Sequence, residues 1–119
     1  MKGWKVRRGN TSVQDILCKD KNESTLSDLG SASTITFQVK KEATDSSALI
    51  AKTVGSGIEI DTPTEGYVRV TLSPSDTAQD PENYVMALEI KYSASEIYET
   101  IMYIDDEETD KFIVEQDII

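Results

Sequence analysis

The densest chemical feature of this chain is the run Asp105-Asp106-Glu107-Glu108-Thr109-Asp110. Hard carboxylate oxygens gathered in a loop suit calcium, so Asp105, Asp106, Glu108 and Asp110 are candidate metal ligands. The run lacks a glycine at its turn and lacks the Asp-x-Asp-x-Asp spacing of a dedicated calcium loop, so a solvated acidic hairpin is the competing reading. Other chemistries are easier to exclude. The chain has no histidine, which removes Ser-His-Asp and Cys-His catalysis and imidazole-bound zinc. Its single cysteine, Cys18, cannot form an intrachain disulfide. It reads either as a thiol with no histidine to activate it or as a small buried hydrophobe on a strand. Gly55-Ser56-Gly57 lacks the lysine and the strand–loop–helix setting of a phosphate loop. Paired acids could hydrolyse glycosides, but sugar clefts present several aromatic faces and aromatics here are 7% of residues. No catalytic residue, no cofactor and no enzymatic activity are expected.

Recognition is the remaining class. Trp4 lies among Lys2, Lys5, Arg7 and Arg8, a basic cluster in a chain whose formal net charge is -10. Two readings are open: a docking arm anchored by Trp4, or an edge strand protected by positive charge with Trp4 capping the core. Tyr98 and Tyr103 are further candidate partner-binding residues, and with Tyr67 they could form an aromatic platform. The acidic balance argues against nucleic acid, whose binders need Lys and Arg to displace counterions, and against anionic membranes. No apolar run follows Met1 to Arg8, so no secretion signal is expected, and no segment has the length and apolarity of a membrane span.

These side chains must be positioned by strands. Ile35-Thr-Phe37-Gln-Val39, Ile58-Glu-Ile60 and Val68-Arg-Val70-Thr-Leu72 alternate apolar and polar residues, the period of a strand with one buried face. The alternation predicts Ile35, Phe37, Val39, Val68, Val70 and Leu72 inward. Tyr84, Met86, Leu88, Ile90 and Tyr92 mark a long strand central to its sheet. Trp4 to Arg8, Val13 to Cys18, Ala48 to Val54, Ile97 to Ile104 and Phe112 to Val114 complete the set. The two faces of Ile97 to Ile104 are about equally apolar, so one of them could meet a partner. Lys19 to Ser33 reads as a long loop pinned by Leu26 and Leu29, Glu42 to Ser47 as a hairpin loop, and Asp105 to Asp110 as an acidic loop. Pro74 to Gln79 reads as one short helical turn capped by Ser73. The expected fold is all-β: an antiparallel two-sheet β-sandwich forming a single domain over 1–119.

In order, these segments resemble the immunoglobulin-like N-terminal domain of phage baseplate upper proteins and related small phage tail proteins. The resemblance rests on Arg8-Gly9-Asn10-Thr11, Asp28-Leu29-Gly30, Thr34 to Val39, Ile50-Ala-Lys52-Thr53, Gly57-Ile-Glu-Ile60, Val68 to Thr77, the tyrosine-bearing strand Tyr84 to Tyr92, and Phe112-Ile-Val114-Glu-Gln-Asp117-Ile118. Asn10 stands where the family has Asp, Lys19 to Thr25 lacks the usual glycine, and Asp105 to Asp110 replaces a glycine-containing turn. Members usually continue into further domains, whereas this chain stops at Ile119, which points to a stand-alone component or an adaptor. The resemblance implies an immunoglobulin-like sandwich with Ile16 and Cys18 inward and no catalytic residues to transfer. It also implies a non-enzymatic phage or prophage structural protein, made in the bacterial cytoplasm and located in the virion tail or baseplate. Its expected partners are other tail or baseplate proteins and copies of itself. The alternative function is a module recognising host-surface carbohydrate or protein.

Overall fold

The computed structural model describes residues 3–62, 65–105 and 107–116. In chain order the strands are β1 (Trp4–Arg7), β2 (Ser12–Lys19), β3 (Thr34–Lys40), β4 (Ile50–Val54), β5 (Gly57–Thr62), β6 (Tyr67–Leu72), β7 (Asn83–Ser93), β8 (Glu96–Glu99), β9 (Ile101–Ile104), β10 (Glu107–Glu108) and β11 (Lys111–Glu115), with one helical turn, α1 (Pro74–Thr77), between β6 and β7. The protein is mostly β. The strands run in one hydrogen-bonded path, β1-β11-β7-β3-β4-β5-β6-β2-β9-β10, with β8 attached to β7. All neighbours are antiparallel except β1 with β11 and β4 with β5.

This corrects the expectation of two separate antiparallel sheets. The structure is a single sheet curled into a half-barrel, and two corners join its arms. At the first, Gly55 (φ 86°) and Gly57 (φ 104°) let the chain step sideways from β4 and continue in the same direction as β5. A Cβ on Gly57 would lie 2.5 Å from Lys52 Cδ, so the bare glycine also gives the Lys52 stem its path. At the second corner, the segment expected as one strand, Ile97 to Ile104, breaks at Thr100. Its first half, β8, pairs with β7 and its second half, β9, with β2. Thr100 is buried, and both its N–H and its hydroxyl donate to Leu88 O, at 2.9 and 3.1 Å. The partner change explains why both faces of this segment looked apolar: Met102 and Ile104 are buried, while Ile97 and Tyr98 are exposed.

Alternation placed the core correctly. Ile35, Phe37, Val39, Val68, Val70, Leu72, Met86, Leu88 and Ile90 are all buried, as are Ile16 and Cys18. β7 is central, bonded to β3 along one edge and to β11 and β8 along the other. Trp4 packs on Phe37 and Phe112, with ring centroids 5.6 and 5.4 Å apart, and its indole N–H donates to Ser12 Oγ at 2.9 Å. Leu29 lies fully buried in a 3-10 turn, with Leu26 half-buried beside the core, so the long loop is pinned as expected. Gly66 (φ 78°) lies under that loop; a Cβ there would come within 2.9 Å of Leu26 O.

The helical turn forms where Pro74 and Ser73 predict it. Ser73 Oγ accepts from the Asp76 N–H and Asp76 Oδ2 accepts from the Ser73 N–H, a reciprocal capping box. Asp76 also accepts from Lys52 Nζ at 2.8 Å, tying α1 to β4.

Candidate functional site

The loop between β2 and β3 and the strand β8 frame a cleft at the mouth of the half-barrel, about 660 Å³ in volume. β2 stops pairing with β9 at Lys19, opposite Ile101. Beyond that point the 19–31 loop diverges from β8 and the cleft opens between them. Tyr92 continues the inward row of β7 into this opening, and its hydroxyl donates to Asp28 Oδ1 at 2.7 Å. Burial and that carboxylate push the Tyr92 phenol above its ordinary value. Tyr98 sits opposite Ile90 on β8 and meets the Tyr92 ring edge to face, with centroids 6.1 Å apart. It remains 51% exposed, and its neighbour Ile97 is 48% exposed. As neighbours on a strand they point to opposite faces, Tyr98 toward the cleft on the side of Ile90 and Ile97 outward beside Lys91.

Tyr103 lies on the outer face of β9, opposite Leu17 of β2, and Leu17 in turn lies opposite Tyr67 of β6. Tyr67, Leu17 and Tyr103 therefore form one row across three strands. Lys19 Nζ stands 4.3 Å from the Tyr103 ring centroid. The Tyr103 hydroxyl donates to Glu23 Oε1 at 2.8 Å, and that bond first, with burial second, pushes its phenol up to about 12. Glu23 reaches this place from a left-handed backbone, φ 62°. The three tyrosines proposed as one platform thus divide: Tyr67 and Tyr103 share the outer face, and Tyr98 stands in the mouth with Tyr92.

Trp4 is 2% exposed and packs in the core, so of the two readings of this cluster the edge strand with Trp4 capping the core holds and the surface anchor does not. Lys5, Arg7 and Arg8 are exposed along that edge. Lys2 lies outside the described residues.

The acidic run is more ordered than a loop. Asp105 takes a left-handed φ of 51°, which Asp tolerates better than most residues, and so fills the place of the missing glycine. Glu107 and Glu108 then pair back on Ile104 and Tyr103. Thr109 is buried, its N–H donates to Met102 O, and Asp110 O accepts from the Met86 N–H. Of the calcium candidates, Asp105, Glu108 and Asp110 are exposed, and Asp106 lies outside the described residues. Among the described residues no three acidic, Cys or His side chains converge as metal ligands would.

Cys18 is buried between β6 and β9, and burial pushes its thiol up to about 12, against a smaller opposing effect from Thr100. A thiol so held is a packing group. No described helix is long and apolar enough to cross a membrane.

Sequence reasoning named Tyr98 and Tyr103 but missed their partners. Glu23, which bonds Tyr103, and Asp28, which bonds the Tyr92 beside Tyr98, come from the polar loop, and Lys19 ends β2 where that loop begins; the loop's pairing with distant strands has no local signature. The available signal was Leu26 and Leu29, apolar residues in an otherwise polar stretch, which implied that the loop folds back onto the core. Compared with known proteins, the chain matches no family model and no curated sequence.

Proposed function

We propose that this chain is a non-enzymatic structural protein of a phage or prophage tail or baseplate, acting through protein–protein contacts. On this reading it is made in the bacterial cytoplasm and carried in the virion. The fold is then immunoglobulin-like in its strand succession, with the single curled sheet turning its corners at Gly55–Gly57 and at Thr100. The observation that carries the reading is β8: a short strand with every side chain exposed, presenting Ile97 and Tyr98 at the rim of a cleft. The ordered succession of motifs from Arg8 to Ile118 supports the phage assignment.

The reading is tested in purified particles from the bacterium that carries the gene. Mass spectrometry should find the chain at stoichiometric level with the tail proteins, and light scattering of the isolated protein at micromolar concentration should show copies associating or capturing a tail component. Absence of the chain from intact particles would sink the proposal. The carbohydrate alternative needs its tyrosines on one surface, and Tyr98 stands apart from Tyr67 and Tyr103.

A further inference from the structure

β8 lies off the main path of the sheet and bonds to β7 alone among the described strands. Thr100 N–H donates to Leu88 O, and bonded pairs alternate along an antiparallel ladder. Leu88–Thr100 and Ile90–Tyr98 are therefore the bonded pairs. Ile97 and Glu99 turn their N–H and C=O groups the other way, toward the cleft where β2 has ended. Such a row of outward backbone groups is a template for one more strand.

Resting on the protein–protein reading above, we propose that this edge receives an extended segment of a partner protein as an added strand. That segment alternates Lys or Arg with apolar residues. The charge arises on the outer face. Glu99 is directly opposite Glu89, and neither has an ion pair among the described residues. Like charges directly opposite one another are unfavourable, and a cation on a strand beside Glu99 relieves the repulsion. Around the rim Asp20, Asp28, Glu96 and Glu99 outnumber Lys19 and Lys21, so the cleft keeps a negative balance. The apolar positions of the added strand would point inward, against the rings of Tyr92 and Tyr98. This chain has one segment with the right pattern, Trp4-Lys5-Val6-Arg7, but Trp4 and Val6 are 2% and 3% exposed in their own core. A second copy could donate it only by unfolding its own edge, so the occupant is a different protein.

The test uses the full chain, isotope-labelled for NMR, and a Lys-Val-Lys-Val-Lys-Val peptide, with the Glu-Val counterpart as control. The lysine peptide should shift the Ile97 and Glu99 amides and slow their hydrogen exchange, and the glutamate peptide should do neither. Ile97→Pro should abolish the effect while the protein stays folded, because proline removes an N–H on the free side and leaves the bonds to β7 intact. Glu96→Lys with Glu99→Lys should weaken binding at least tenfold. Three results would overturn the proposal: shifts scattered over the carboxylates without protection at Ile97 and Glu99, a folded Ile97→Pro protein that binds as well as the parent, or the same protection appearing without peptide as concentration rises, which would make the occupant a second copy. A chain found in particles but indifferent to the peptide loses strand addition and keeps its assembly role. A chain that binds the peptide but is absent from particles loses the assembly role alone.

Discussion

Asp76 holds three donors at one carboxylate, and its removal is the most informative single perturbation. It accepts from Ser73 N–H at 2.8 Å, Ser73 Oγ at 3.0 Å and Lys52 Nζ at 2.8 Å. The side chains of Lys52 and Asp76 are only 20% and 18% exposed, so water screens the pair little. Losing half of a capping box costs about 1 kcal/mol, and losing a charge-assisted hydrogen bond costs about 1.5–3 kcal/mol. Asp76→Ala should therefore destabilise by roughly 2–4 kcal/mol in urea unfolding, with a fall in Tm of about 10 °C. Asp76→Ala should cost about 1–2 kcal/mol less in a Lys52→Met background, because the cation stranded by the mutation is then gone. Equal costs in the two backgrounds would show that the ion pair contributes nothing and refute the reasoning. The pH dependence gives a second check. Burial alone would raise the Asp76 carboxyl, but the bonds from Lys52 and Ser73 outweigh it and hold the group below its ordinary 3.8. A depressed folded value gives stability that is fully present above pH 3.8 and is lost as pH falls from there through the lower folded value. The parent and Asp76→Ala should thus converge in stability in acid and separate near neutrality.

Other outcomes follow from the core, the first corner and the thiol. Phe37→Ala, which empties a fully buried site against Trp4, should cost about 3–5 kcal/mol by denaturant unfolding. Gly57→Ala must place a Cβ at φ 104° and 2.5 Å from Lys52 Cδ, so it should destabilise more than Gly55→Ala, which has nothing within 4 Å, when the two are compared calorimetrically. Cys18 should resist iodoacetamide at pH 8 in the native protein and react fully in urea; rapid native labelling would contradict its burial.

How much of this was legible depended on the range of the interaction. The inward rows of β3, β6 and β7 follow from period-two alternation, a property of one strand against one core. The turn at Pro74 follows from Ser73, Pro74 and Asp76 within a few residues of one another. Partner choice is different. Nothing near Thr100 announces that the chain leaves β7 for β2 there, because the pairing is decided by strands many residues away. The single curled sheet was missed for the same reason, since a division into two sheets depends on which edges meet. Trp4 showed the ambiguity of composition: its basic neighbours were read as part of a surface, yet its ring completes a cluster with Phe37 and Phe112. At the cleft, Tyr98 was visible as an aromatic on a strand, but its free edge exists only because the polar loop turns away at Lys19.

The parallel pairing of β1 with β11 has a mechanical consequence. Trp4 lies beside Phe112 and Arg7 beside Glu115, so the chain enters β1 at one end of this ladder and leaves β11 at the other. A pull on the flanking chain in opposite directions slides the two strands along each other. Every backbone bond between them then resists together, whereas an antiparallel edge loaded in the same way would peel open one bond at a time. Single-molecule pulling through residues 3 and 116 should show one high-force rupture, and Val6→Pro, which removes a donor from β1, should lower it.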